Sequence, residues 1–172
     1  ENIVTMDGRE LMAMNLGATD KNDGSGDESK ILASYGLYYQ WGRKDPFTYN
    51  KYVRDDNRFT ITKSIQNPVS FASGYDLWCE TWSNSLWDSS QKTIYDPCPV
   101  GWRVPDGGSN GVWSKAGFDD KTYDSTNEGM SFSISSPSTT WYPASGYRNF
   151  NDGDLYGVGN FGLYWSASPS SD

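Results

Sequence analysis

Alternating apolar and polar residues predict several short β-strands in this chain. Met130, Phe132 and Ile134 alternate strictly with serines, and this period of two is typical of a strand with one buried face. Residues that favour strands on both faces predict a central strand at residues 35–41 (YGLYYQW). Short alternating runs predict two more strands, at residues 102–104 (WRV) and 161–165 (FGLYW). We expect the tryptophans of these three runs to lie in the core: Trp41, Trp102 and Trp165.

Helical patterns are few and short. Ser29–Tyr35 begins with a residue type that caps helices, and it predicts a helix of about two turns. A second short helix is predicted within Gly111–Phe118. Glycine (18 residues) and proline (8 residues) interrupt most of the remaining chain. The pattern therefore predicts a single α+β domain over residues 1–172, with a small mixed or antiparallel sheet, short helices and long loops.

The charge and the missing histidine exclude several classes of function. The chain has 14 Lys and Arg against 22 Asp and Glu, a net charge of −8. Nucleic acids and anionic membranes need a basic surface, so we expect no nucleic-acid partner. Without histidine the chain cannot form a Ser-His-Asp or Cys-His nucleophile or a His-ligated zinc site. We expect a protein that is not an enzyme and holds no cofactor or metal.

The remaining composition is typical of an exported binding domain. Aromatic residues make up 16% of the chain and charged residues 21%, with a mean hydropathy of −0.73. Such an aromatic content favours a packed core over disorder, and Tyr, Ser, Gly and Asn are the residues that binding loops use most. No apolar run is long enough to predict a membrane-spanning helix. We expect the protein at the cell surface or outside the cell.

The two cysteines leave two alternatives open. Cys79 and Cys98 allow one intramolecular disulfide, or they are two reduced and partly buried thiols. No Cys-x-x-Cys motif is present, which argues against a redox site.

A polar segment, Asp20–Ser29 (DKNDGSGDES), also leaves two alternatives open. Its carboxylates suggest a calcium loop, but Gly24 occupies the fifth ligand position of an EF-hand and Ile31 the twelfth, where a bidentate Glu belongs. We expect a solvated loop here rather than an ordered calcium site.

The strongest candidate for a binding surface lies near the end of the chain. The segment 149–161 combines glycines with aromatic side chains and short amides or carboxylates, so it can present rigid apolar area beside adaptable hydrogen bonds. We expect Phe150 and Tyr156 to be exposed, whereas Phe161 can be either exposed or buried. The candidate ligand-binding residues are Asn149, Phe150, Asn151, Asp152, Asp154, Tyr156, Asn160 and Phe161.

Four segments, in this order along the chain, resemble one known family. They are Leu11–Ala18 (LMAMNLGA), Tyr35–Phe47 (YGLYYQWGRKDPF), Tyr95–Pro105 (YDPCPVGWRVP) and Pro143–Ser168 (PASGYRNFNDGDLYGVGNFGLYWSAS). Together they are similar to the Fibrobacter succinogenes major paralogous domain, which occurs in surface lipoproteins and fimbrillin-associated proteins of Bacteroidota. The resemblance implies a C-type-lectin-like fold. It also implies closing strands after Asp172, so we expect a domain that lacks its final strands, and in that family the cysteine matching Cys98 pairs with a later one.

The last of these segments is also similar to the variable regions of proteins diversified by retroelements. There, a fixed Gly-Tyr-Arg and Tyr-Trp-Ser scaffold surrounds positions drawn from Asn, Asp, Tyr, Phe, Ser and Gly. Here the scaffold corresponds to Gly146–Arg148 and Tyr164–Ser166. The two resemblances imply a non-catalytic recognition or adhesin domain that binds a protein or a glycan. The alternative is a structural subunit of a fimbria or pilus, completed by a neighbouring chain.

Overall fold

A computed structural model describes residues 3–6, 8–22, 24–116, 121–135 and 138–169. Its helices are α1 (Glu28–Tyr35), α2 (Ile61–Gln66) and α3 (Val112–Ala116). Its strands are β1 (Ile3–Met6), β2 (Arg9–Met12), β3 (Val53–Asp55), β4 (Ser70–Ala72), β5 (Lys121–Asp124), β6 (Gly129–Ser135), β7 (Ser138–Pro143), β8 (Tyr147–Arg148) and β9 (Leu155–Tyr156). The fold is therefore α+β, as expected from the sequence.

The strands form four small sheets. Three are pairs: β1–β2 and β8–β9 are antiparallel, and β3–β4 is parallel. The fourth is the antiparallel meander β5–β6–β7, in which Met130 pairs with Tyr142 and Phe132 with Thr140. The alternation around Met130 and Phe132 thus lies on β6, and the prediction of a strand there is confirmed.

The predicted first helix is confirmed, but its cap is a different residue. The side chain of Asp27 accepts a hydrogen bond from the Ser29 backbone N–H at 2.9 Å, so Asp27 and not Ser29 is the N-cap. The helix ends at Gly36, whose φ of 74° suits a glycine. The second predicted helix is shorter than Gly111–Phe118, and residues 117 and 118 lie outside the described residues.

Three predicted strands are wrong. Tyr35 belongs to α1, and the rest of segment 35–41 contributes only an isolated bridge between Tyr38 and Phe47. Residues 102–104 and 161–165 lie outside the strands. Trp165 is 54% exposed, so the prediction that it belongs to the core is also wrong. Its indole instead lies along the surface and donates to the Tyr39 carbonyl at 2.9 Å.

The core is built largely from indole rings. Trp41, Trp78 and Trp87 are buried together, and each indole N–H donates to a backbone carbonyl at 2.7–2.9 Å. Trp102 is only half-buried. A second, smaller cluster consists of Tyr38, Phe47 and Phe71 and lies beneath the β8–β9 hairpin, because Tyr52 and Leu155 pack against it. Buried indoles contribute a large apolar area, and their bonded N–H groups leave no polar penalty.

A buried carboxylate organises the loop that carries the Cys-Pro-x-Gly-Trp motif. The Asp96 side chain is 0% exposed and forms an ion pair with Lys92 at 2.8 Å. Its two oxygens also accept the backbone N–H groups of Cys98 and Val104, each at 2.8 Å. A buried charge is tolerated only where such partners replace water. Asp96 therefore fixes the course of the chain from residue 96 to residue 104.

Both cysteines carry free thiols in this structure, so of the two alternatives it shows the reduced one. Cys79 is buried, and its thiol contacts the Thr81 carbonyl at 3.1 Å. Burial, together with the negative charge of Asp96, raises the pKa of the Cys98 thiol to about 12. A thiol that stays protonated at neutral pH is a poor nucleophile.

The polar Asp20–Ser29 segment packs against the turn between β5 and β6. Asn127 accepts the backbone N–H of Gly26 at 2.9 Å and its carbonyl accepts the Asn22 amide at 2.8 Å. Asp23 lies outside the described residues. Among the residues that are described, no group of three or more acidic, Cys or His side chains could hold a metal ion. Within the same part of the chain, no helix is long and apolar enough to cross a membrane.

Candidate functional site

The candidate binding segment folds as a short hairpin followed by a second turn. In the hairpin, β8 pairs with β9, with Tyr147 opposite Tyr156 and Arg148 opposite Leu155. The Asn149 N–H donates to the Asp154 carbonyl at 2.9 Å, and the Gly153 N–H donates back to the Asn149 carbonyl at 2.7 Å. These bonds close the turn that presents Phe150 and the residues after it.

Two of the eight predicted ligand-binding residues shape this turn from within. The side-chain oxygen of Asn149 accepts the Asn151 N–H at 2.8 Å, and that of Asp152 accepts the Asp154 N–H at 2.9 Å. Both residues are half-buried. Such local side-chain bonds stabilise turns, so Asn149 and Asp152 hold the backbone while their neighbours face solvent.

Arg148 fastens the hairpin to the body of the domain. Its guanidinium donates to the Gly153 carbonyl at 2.6 Å and to the Thr48 carbonyl at 2.5 Å. It also lies over the Tyr52 ring, 4.4 Å from the centroid, an arrangement that attracts a cation to an aromatic face. Burial lowers the pKa of Arg148, and the group remains charged. The Arg of the Gly-Tyr-Arg scaffold is thus structural.

A second contact holds the tip of the turn. The Tyr52 hydroxyl donates to the Asp154 carboxylate, and the resulting bond raises the pKa of Tyr52. Gly153 has a φ of 81°, and a Cβ on it would lie 2.6 Å from the Tyr52 ring. The Gly74 N–H donates to the Phe150 carbonyl at 2.7 Å. The backbone of this turn is therefore fixed on both sides, by Tyr52 and by Gly74.

Above this backbone lies a row of aromatic rings. Tyr147 is in the middle, with its ring centroid 6.2 Å from that of Tyr156 and 5.8 Å from that of Phe161. The Phe161 ring covers Gly157, where a Cβ would lie 2.2 Å from it. Tyr156 and Phe161 are each 45% exposed, and Phe150, on the preceding turn, is 43% exposed. The expected exposure of Phe150 and Tyr156 is confirmed, and of the two alternatives for Phe161 the structure shows the exposed one.

The polar candidates lie on the same two turns as these rings. Asn151, Asp154 and Asn160 are all exposed. The Tyr156 hydroxyl donates to the Asp152 carboxylate at 3.0 Å, and this bond with the adjacent negative charge raises the pKa of Tyr156. Six of the eight predicted residues are thus exposed, on the hairpin and the turn after it: Phe150, Asn151, Asp154, Tyr156, Asn160 and Phe161.

Two concave features that the sequence did not predict adjoin these residues. The first, here called the large cavity, has a volume of about 640 Å³. It is lined by core tryptophans and, at its mouth, by exposed apolar side chains such as Leu163 and Trp165. The second, here called the aromatic pocket, has a volume of about 270 Å³ and lies between the β5–β6–β7 sheet and residues 160–164. The alternation on β6 predicts that Met130 and Phe132 face away from solvent. It does not distinguish a packed sheet face from the wall of a pocket, which is where these two residues lie.

No family model matches the chain, no curated protein matches it, and no solved structure matches it. Membership of the paralogous-domain family therefore remains an expectation that rests on the four sequence segments.

Proposed function

We propose that this chain is a non-catalytic recognition domain of C-type-lectin-like fold, exported and displayed at a bacterial surface, where it binds a protein or glycan ligand. The observation that carries the proposal is the exposure of three aromatic side chains, Phe150, Tyr156 and Phe161, on a hairpin with a fixed backbone and on the turn that follows it. Large exposed rings are the usual source of binding energy at recognition surfaces.

The rigidity of the hairpin supports this function. A flexible loop loses conformational entropy when it binds, at a cost of about 0.5–1.5 kcal/mol for each side chain that becomes ordered. Here the bonds from Arg148, Tyr52 and Gly74 already order the backbone before any ligand arrives. Asn151, Asp154 and Asn160 add donors and acceptors at the edge of the rings. Rigid aromatics beside short polar side chains are typical of binding loops.

The test is a double substitution, Phe150→Ala with Tyr156→Ala, scored on glycan arrays and on intact bacterial and host cells. We expect the parent chain to bind and the double variant to lose at least about tenfold in affinity, the equivalent of about 1.4 kcal/mol. Because both rings are exposed, its urea midpoint stays close to that of the parent. A control with Ile65→Ala and Ile94→Ala, which are 60% and 76% exposed, keeps full binding. Parent-like binding of the aromatic double variant contradicts the proposal, and so does its unfolding.

A second function, a fimbrial or pilus subunit completed by a neighbouring chain, is favoured by the large cavity. The large cavity, of about 640 Å³, opens to solvent and is wide enough to receive an extended segment of another chain. Leu163 and Trp165 at its mouth are 62% and 54% exposed, and exposed apolar patches mark interaction sites. A polypeptide segment from a neighbouring subunit would cover them.

Light scattering after size exclusion separates the two functions. A subunit associates as its concentration rises, and Leu163→Glu with Trp165→Glu returns it to the monomer. A recognition domain stays monomeric at all concentrations, with or without these substitutions.

A further inference from the structure

The aromatic pocket borders the proposed binding surface but extends away from the hairpin. Its wall on one side is the β5–β6–β7 sheet and on the other the segment that carries Asn160 and Phe161. Two of the eight predicted ligand-binding residues therefore lie at its edge. The rings that line it are Trp113, Tyr123, Phe132, Tyr142, Phe161 and Tyr164, with the Met130 thioether beside them.

The polar atoms on these rings already have partners within the protein. The Trp113 N–H donates to the Tyr142 hydroxyl at 2.8 Å. The Tyr164 hydroxyl donates to the Pro143 carbonyl at 2.7 Å, and the Tyr123 hydroxyl donates to the Gly159 carbonyl. What the lining offers a ligand is therefore mainly ring faces and a sulfur atom, which favour apolar and aromatic groups.

The volume decides the size of the ligand group. An apolar cavity of about 150 Å³ holds one benzene ring, and sites for drug-sized molecules begin at about 300 Å³. At about 270 Å³ the pocket exceeds the first value and falls below the second. It suits one bulky aromatic side chain, with an indole as the best fit.

The chemistry of the lining argues against a sugar in this position. A monosaccharide carries hydroxyl groups on every side, and each one that loses water without gaining a partner costs about 1–3 kcal/mol. The N–H and O–H groups of Trp113, Tyr123 and Tyr164 already form hydrogen bonds within the protein, so few of the sugar hydroxyls would find a partner.

Charge indicates what surrounds the aromatic group on the partner. The chain carries a net charge of −8. Next to the pocket the charges are mixed, since Lys121 pairs with Phe132 on β5–β6 and the Glu128 carboxylate lies 3.0 Å from where a Cβ on Gly159 would be. The negative charge of the whole chain therefore attracts basic flanking residues and repels acidic ones.

We propose that the aromatic pocket receives one aromatic side chain, preferably tryptophan, from a basic segment of a protein partner. The inference rests on the proposed recognition function and deepens it, because it selects a protein over a glycan as the ligand. It also adds Tyr123 and Met130 to the residues that contact that ligand.

Methionine methyl groups provide a direct test. With ¹³C-methyl methionine, Met130 reports on the aromatic pocket, while Met12 and Met14 report on the large cavity. The probe is the blocked tripeptide Lys-Trp-Lys, compared with Lys-Ala-Lys, Glu-Trp-Glu and a methyl glucoside. We expect Lys-Trp-Lys to displace the Met130 resonance by its ring current, saturably at millimolar concentration, with Met12 and Met14 unchanged. Lys-Ala-Lys and the glucoside leave Met130 in place, and Glu-Trp-Glu binds several-fold more weakly.

Two variants at one position separate the ring from its hydrogen bond. Tyr123 is 40% exposed, so its replacement leaves the core intact. Tyr123→Phe keeps the ring and loses the bond to Gly159, and we expect parent-like binding. Tyr123→Ala loses the ring as well, and we expect about tenfold weaker binding, since an aromatic pair contributes about 0.5–1.5 kcal/mol beyond its buried area.

The outcomes that overturn the inference differ from those that overturn the proposed function. An unmoved Met130 resonance, equal binding of Glu-Trp-Glu, parent-like binding by Tyr123→Ala, or a shift caused by the glucoside each rejects the pocket as a site for a basic aromatic segment. None of these depends on Phe150 or Tyr156. Conversely, loss of cell binding in the Phe150 and Tyr156 double variant supports recognition whatever the peptides do.

Discussion

At the scale of single residues, Asp96 shows how one polar side chain can determine a long loop. Asp96 is 1% exposed, forms an ion pair with Lys92 and accepts hydrogen bonds from two backbone N–H groups. Removing one member of such a set leaves the others buried without a partner, which costs far more than a surface ion pair contributes.

We therefore expect Asp96→Ala to destabilise the fold by about 3–5 kcal/mol, measured as the change in free energy of unfolding in urea. The control is Asp88→Ala. Asp88 also accepts local N–H groups, from Ser90 and Gln91, but it is only half-buried and has no ion-pair partner among the described residues, so its loss changes the midpoint much less. Equal midpoint changes in the two variants would show that Asp96 does not organise the loop.

The sequence could not have revealed this role. Asp96 lies within the YDPCPVGWRVP segment that resembles a family motif. The motif indicates a role for Cys98, but nothing in it indicates that Asp96 is buried. Val104, which donates to Asp96, is eight residues away. Asp is rarely buried in proteins, so an exposed side chain is the default expectation from sequence. Whether a particular Asp is buried depends on the folded chain around it.

At the scale of elements, the hairpin that carries the candidate site depends on a glycine at its tip. Gly153 has a left-handed backbone conformation and lies against the Tyr52 ring. Only glycine tolerates both the positive φ and the lack of space for a Cβ. Gly101 has a similar φ of 88° but open space where a Cβ would lie. The pair separates backbone strain from steric conflict.

Gly101→Ala should cost about 1 kcal/mol, the penalty for a left-handed alanine. Gly153→Ala should cost more, because its Cβ would lie only 2.6 Å from the Tyr52 ring and displace the turn. Differential scanning calorimetry gives the two stabilities, and ligand binding reports the turn geometry. We expect Gly153→Ala to lose binding and Gly101→Ala to keep it. If both variants lose the same free energy of unfolding, the Tyr52 ring moves aside at no cost and does not fix the turn.

Local pattern predicted the elements whose surroundings agree with it. Strand β6 and helix α1 follow their alternation and capping signals. The strand predicted at residues 35–41 does not form because Tyr35 is the last residue of α1 and Gly36 caps that helix. The helix signal and the strand signal overlapped at Tyr35, and the helix forms. Segment 161–165 failed because alternation also fits an extended surface segment whose apolar side chains remain exposed. The exposed rings of the site were predicted from their polar neighbours, but the cavities beside them arise from contacts between distant segments.

At the scale of the whole molecule, the absence of histidine simplifies the response to pH. Hydrogen bonds lower the pKa of five exposed or half-buried aspartates below the usual value of 3.8: Asp27, Asp55, Asp56, Asp88 and Asp124. Burial raises the pKa of five tyrosines above their usual value of 10.0: Tyr35, Tyr38, Tyr39, Tyr142 and Tyr164. Between these two sets the only side chains of ordinary pKa are the two cysteines, whose thiols titrate at about 8.5 in an unfolded chain. Burial and Asp96 raise the pKa of the folded Cys98 thiol to about 12.

A carboxylate with a lowered pKa in the folded state adds stability above its unfolded pKa, and this is lost as the pH falls through the folded value. A tyrosine with a raised pKa adds stability that is fully present below its unfolded pKa, and this is lost as the pH rises through the folded value. We therefore expect a constant urea midpoint between about pH 5 and pH 8, with a decrease below pH 4. At the alkaline end the decrease begins above about pH 8.5, from Cys98, and steepens above pH 10, from the tyrosines. A midpoint that changes between pH 6 and pH 8, at constant ionic strength, would contradict this assignment.

The packing of the tryptophans has an optical consequence. The Trp41 ring lies 4.9 Å from that of Trp82 and 5.5 Å from that of Trp87, at tilted angles. Electronic transitions of indoles this close and skewed mix, so the folded chain will show an exciton couplet in circular dichroism where indole absorbs most strongly. The ordinary amide signal is weak in a chain with so much loop, and the couplet will report loss of the core that the amide signal barely registers.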